Sequence, residues 1–135
     1  LVLLIEVIEH LNNDNLALGK IYSLLSKGGT AIISTPSKNA PMYKLGLSDK
    51  FDQKVGHLRR YTSEELVEKC ESVGFKILEI KKTEGLVRNF LFLNPIAGSS
   101  IKFIKFFISD LVTFIDEISL KIFGESDIFV IVKKP

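Results

Sequence analysis

Apolar and polar residues alternate along this chain in two periods. Residues 1–5, Leu1-Val2-Leu3-Leu4-Ile5, are continuously apolar, as expected of a strand buried on both faces. The polar run Asn12-Asn13-Asp14-Asn15 supplies helix N-caps. Leu16, Leu18, Ile21, Leu24 and Leu25 then recur at helical spacing, with Lys27 in the last turn and Gly28-Gly29 as the stop. A second β-rich run, Thr30-Ala31-Ile32-Ile33-Ser34-Thr35, ends at Pro36. Strand, helix and strand in succession predict a right-handed βαβ unit and a parallel sheet.

Residues 36–61 show no period and read as a long loop. Thr62 and Glu65 form a capping box for a helix whose apolar face is Leu66, Val67, Cys70 and Val73, and Gly74 closes it. Residues 75–82 and 127–133 read as further strands. Between them lies an insert at about 86–124, the most hydrophobic part of the chain. Ile101, Ile104, Ile108, Leu111, Ile115, Ile118 and Ile122 make an apolar stripe at 3–4 spacing, widened by Phe103, Phe107 and Phe114. Lys102, Lys105, Asp116 and Glu117 fall opposite. Charges interrupt the run too often for a transmembrane helix. Three readings stay open for this amphipathic stretch: a helix packed on its own domain, a homodimer face or substrate lid, or a peripheral membrane contact through residues 101–123.

Composition narrows the field. A chain of 135 residues with 46% hydrophobic and 25% charged residues is globular and of single-domain size, neither disordered nor a disulfide scaffold. A net charge of +2 gives little field for a polyanion, so nucleic acid is not the expected partner. The lone Cys70 fits a reducing, cytoplasmic setting and packs as a small hydrophobe. An apolar strand at the first residue leads to the expectation that 1–135 is the downstream part of a larger α/β domain.

Candidate chemistry sits at two places. Glu6-Val7-Ile8-Glu9-His10 follows the first strand, and ligands of open α/β sheets bind beyond the carboxyl ends of strands. If helical, the segment sets Glu6, Glu9 and His10 on one face, fit to hold a divalent cation or to act as acid and base. An acidic helical turn with His10 merely packed is the plainer alternative. His57 lies in Gly56-His57-Leu58-Arg59-Arg60-Tyr61 at the end of the long loop. It is either a solvated histidine or a second catalytic one. Gly28-Gly29 closes a helix instead of opening one, so it is no phosphate loop.

Three stretches together resemble the C-terminal half of a class I S-adenosyl-L-methionine-dependent methyltransferase of the type 11 group. They are residues 3–11, residues 24–36 and residues 56–75, with 127–133 resembling the antiparallel last strand. The resemblance implies an α/β, Rossmann-like fold with a mostly parallel sheet. It implies methyl transfer from S-adenosyl-L-methionine, with the family's glycine-rich loop and ribose-binding acid upstream of the stretches matched, so that residues 1–135 by themselves are expected to bind the cofactor poorly and to be inactive. Leu4, Ile5 and Glu6 would then face the cofactor. Glu6, Glu9, His10 and His57 are similar to the Mg²⁺ or Mn²⁺ ligands of two metal-dependent O-methyltransferase groups, with His10 and His57 catalytic beside the acceptor hydroxyl. The expected acceptor is a small or apolar molecule, including lipid-linked ones, such as a quinone precursor or a glycan carrier. The rival expectation is a catalytically degenerate module that binds a partner or membrane surface through the insert.

Overall fold

The computed structural model describes residues 1–94 and 110–135. Its centre is a four-stranded sheet of β1 (Val2–Ile5), β2 (Thr30–Pro36), β3 (Lys76–Thr83) and β4 (Asp127–Lys133), in the order β1-β2-β4-β3. β1 and β2 are parallel, with Leu4 opposite Ile33. β4 runs antiparallel to both β2 and β3. The expected α/β sheet with an antiparallel last strand is therefore present.

Alternation decides which face is buried. Ala31 and Ile33 of β2 pair with Val132 and Val130 of β4, and all four are fully buried. Leu18, Ile21 and Leu25 from α1 (Asp14–Leu24) and the turn after it, with Leu66 and Cys70 from the helix at Ser63–Ser72, close over that face. Each such aliphatic side chain contributes about 1.5–3 kcal/mol by leaving water. Burial also pushes the Cys70 thiol up to about 12, so it packs as an inert hydrophobe. On the other side of β1, Leu1, Leu3 and Ile5 are exposed.

Helix ends follow local chemistry. Asn13 caps α1 by accepting the Leu16 amide at 2.9 Å. Thr62 and Glu65 form both bonds of the expected capping box. Two boundaries differ from the sequence reading. α1 ends at Leu24, so Lys27 and Gly28-Gly29 lie in the turn beyond it, and Leu16 and Leu24 are exposed. The Gly28 amide there bonds the Lys134 carbonyl, tying the turn to the end of β4. Residues 36–61 are also more regular than expected. They hold α2 (Pro41–Lys44) and α3 (Asp49–Val55), too short for a hydrophobic period to show, and α4 (Ser63–Ser72) follows.

The insert contains α5 (Leu86–Leu93) and a helix, α6, described over 110–123. The stripe residues 101, 103, 104, 107 and 108 lie outside the described residues. Within α6 the expected polarity is reversed. Leu111, Phe114, Ile115, Ile118 and Ile122 are exposed, whereas Asp116 and Ser119 are buried. The cause is the start of α5. Asp116 accepts the amides of Gly85 and Arg88, each at 2.9 Å, and Ser119 Oγ accepts that of Leu86. Three orphan amides of one helix are thus satisfied by polar side chains of another. A Cβ on Gly85 would stand 2.4 Å from the Asp116 carbonyl, so only glycine admits this approach.

Candidate functional site

β1 and β2 end side by side, and the chain beyond them forms the site. Glu6 leaves β1 with a left-handed φ of 52°. Its amide bonds both the carbonyl and the hydroxyl of Ser34, and its carboxylate accepts from the same hydroxyl at 2.5 Å. A single 3-10 turn over Ile8–His10 follows, too short to put Glu6 on the face that Glu9 and His10 share.

Glu9 is fully buried. Thr35 Oγ1 donates to its Oε2 at 3.2 Å, while its Oε1 has no hydrogen-bond partner. That oxygen lies 3.6 Å from His10 Nε2 and 3.9 Å from His57 Nε2. The Leu58 amide bonds the Glu9 carbonyl and so brings the His57 loop to this turn. Gly56, left-handed at φ 81° after α3, offers its carbonyl to His10 Nδ1 at 3.0 Å.

The hydrogen bonds fix both imidazole tautomers. A carbonyl only accepts, so His10 Nδ1 is a donor. His57 Nδ1 stands 2.9 Å from Asp52 Oδ1, and Asp52 also takes two bonds from Arg60, at 2.6 and 2.8 Å. Burial alone would raise the Asp52 carboxyl. The bonds and charge of Arg60, joined by His57, outweigh it and keep Asp52 ionised. His57 Nδ1 is therefore a donor too. In the neutral rings both Nε2 atoms carry lone pairs, and they converge on a carboxylate oxygen that also only accepts. Three acceptors meeting without a donor make a place for a proton or a cation. Among the described residues, Glu9, His10 and His57 can each offer a ligand atom within 4.8 Å of the others.

Next to this cluster opens a cavity of about 310 Å³, at the small end of ligand pockets. Ile5 and Glu6 line it, with Ser34, His57, Phe51 and Asp127. Leu4 instead points to the core. Of the residues singled out from sequence, Glu9, His10 and His57 are thus brought together, Ile5 and Glu6 face the cavity, and Glu6 stands outside the three-membered cluster. Arg60 is also no solvated surface arginine, being buried against Asp52. Asp52 was missed because nothing in an unperiodic stretch marks one aspartate as the partner of a histidine five residues on.

A family model described as a methyltransferase domain matches residues 1–80. No curated protein matches the chain. Among solved structures, an S-adenosylmethionine-dependent methyltransferase from Thermotoga maritima is similar, with a TM-score of 0.58 and 19% identity over 98% of this chain and 54% of that one. One from Archaeoglobus fulgidus gives 0.59 and 20%, over 98% and 57%. A phosphoethanolamine N-methyltransferase from Haemonchus contortus, in complex with S-adenosyl-L-methionine, gives 0.54 and 15%, over 98% and 32%. The chain spans about half or less of the length of these structures.

Proposed function

The chain belongs to the methyltransferase-domain family, and from that premise we propose that it serves methyl transfer from S-adenosyl-L-methionine to the hydroxyl of a small or apolar acceptor. Glu9, His10 and His57 would hold Mg²⁺ or Mn²⁺ beside that hydroxyl. The observation that carries the reading is the buried Glu9 Oε1, unpartnered and facing two Nε2 lone pairs, one of them on His57, which lines the cavity.

The donor supplies an activated methyl on a sulfonium, so the protein's part is positioning and charge control. Ile5 and Glu6 are the residues here that would meet the donor, at the carboxyl end of β1. A bound cation would lower the acceptor hydroxyl's pKa and stabilise the developing alkoxide. Without one, His57 Nε2 can take the hydroxyl proton as a general base, with Asp52 stabilising the imidazolium.

Titration calorimetry with Mn²⁺ tests the cluster. Binding should weaken about 10- to 100-fold in His57→Ala and in Glu9→Gln. A wild-type chain that binds no Mn²⁺ removes the metal, and failure of the full-length protein to bind the donor, with or without metal, removes the transfer reading. The second reading, a binding module, is favoured by one observation: Phe114, Ile118 and Ile122 of α6 lie exposed in a row. Co-sedimentation with neutral and anionic vesicles would show it as a membrane contact.

A further inference from the structure

The cavity beside the histidines gathers carboxyl groups. Glu6, Glu84 and Asp127 all line it. Its arginine, Arg60, is already engaged by Asp52 and the Ser37 carbonyl. Burial and then the neighbouring charges of Glu6 and Glu84 push the Asp127 carboxyl up to about 8. Glu6 and Glu84 are also the two non-glycine residues with left-handed φ among the described residues, at 52° and 57°. The other walls are aromatic. Phe51 and Phe92 meet edge to face, with ring centroids 5.3 Å apart.

A second, independent feature concerns neutral hydrogen bonding. Ser126 is 3% exposed and lines the same cavity. Its amide bonds the carbonyls of Thr83 and Glu84, but its Oγ has no partner. A buried hydroxyl left unmatched carries a desolvation cost that a ligand's polar group would relieve.

We propose that this cavity binds an organic ammonium group carried by the acceptor. Glu84, Asp127 and Glu6 balance the charge, Ser126 Oγ accepts an N–H, and the phenylalanine rings pack the adjoining carbons. That the ammonium belongs to the acceptor rests on the methyl-transfer reading; the cavity's cation preference does not. It makes the acceptor a small molecule with a reacting hydroxyl at the His57 end and an ammonium at the Asp127 end.

The probes are benzylammonium and its neutral analogue benzyl alcohol, titrated against the chain. Benzylammonium should bind about tenfold or more tightly than the alcohol. The double variant Glu84→Gln, Asp127→Asn should lose that preference while keeping its affinity for the alcohol. Ser126→Ala should reduce ammonium binding alone, which covers the case of a double variant that does not fold. Equal affinities in the wild type overturn the proposal, as does a preference that survives both sets of changes. So does a double variant that weakens S-adenosylmethionine but neither S-adenosylhomocysteine nor benzylammonium, because the carboxylates would then serve the donor's sulfonium. Donor binding to the full-length protein, measured separately, tests the methyl-transfer reading.

Discussion

Asp14 is buried and Asp127 half-buried, and their carboxyls move in opposite directions. Asp14, at the start of α1, accepts the Tyr61 hydroxyl at 2.7 Å and lies 3.1 Å from Arg59 and 3.0 Å from Lys69. Burial would raise its carboxyl, but the Tyr61 and Lys69 bonds and charge bring it down to about 2. Burial pushes the Tyr61 hydroxyl up, and the same contact adds to it. Asp127, at the start of β4, is raised to about 8 by burial and by Glu6 and Glu84. Burial raises both, so the opposite directions come from the neighbours. Donors surround the first and carboxylates the second. A carboxyl with its donors built in holds a fold together; one set among other carboxyls stores an unmet demand for positive charge.

The strongest test of that contrast is to remove Asp14. Asp14→Ala leaves Tyr61 without its acceptor and two cations without their anion. It should cost about 2–3 kcal/mol in urea denaturation, discounted for the partly exposed Arg59 and Lys69. A loss below about 0.5 kcal/mol would mean that the corner contributes no more than a surface ion pair.

The next test uses pH, where the two aspartates have opposite signs. An unfolded aspartate titrates near ~3.9. The folded Asp14 binds fewer protons than the unfolded chain between about 2 and 4, so its stabilisation is present above 4 and lost as pH falls to 2. The folded Asp127 keeps a proton that the unfolded chain has lost between about 4 and 8, so stability falls as pH rises through that window. Asp127→Asn should therefore match the wild type near pH 4 and exceed it near pH 8, as read by thermal unfolding. Parallel curves across that window would show that Asp127 is not a crowded acid.

The two regions also differ in how far the sequence discloses them. The alternation in β2 and β4 and the capping box at Thr62 appear where expected, because each arises from residues close in sequence or from a regular period. Glu9, His10 and His57 were legible as residue types, and the turn that joins the first two is local. Two of the three pocket acids were not. Glu84 and Asp127 come from opposite sides of the insert, and they meet only because β3 and β4 pair antiparallel, with Thr83 opposite Asp127. The inversion of α6 was hidden for a related reason. Its hydrophobic stripe predicts an apolar contact, but the unsatisfied amides at the start of α5 draw Asp116 and Ser119 inward. A hydrophobic period records how apolar side chains repeat along one helix, not which of another helix's backbone groups lack partners.

The smallest expected effect separates charge from backbone strain at Glu84. Its φ of 57° costs a non-glycine residue about 1 kcal/mol, which glycine would not incur. Glycine also gains freedom in the unfolded chain, worth about 0.5–1 kcal/mol against folding. The two backbone terms nearly cancel, so Glu84→Gly and Glu84→Gln should have similar effects if the charge is what matters. Both remove one of the carboxylates that raise Asp127, and both should bring its titration down when followed by carboxyl carbon NMR. Stability gained in both variants near pH 8 identifies repulsion as the cost held in the pocket. Stability gained only in Glu84→Gly would identify the left-handed turn instead, and the contrast between Asp14 and Asp127 would then rest on burial and Glu6 without Glu84.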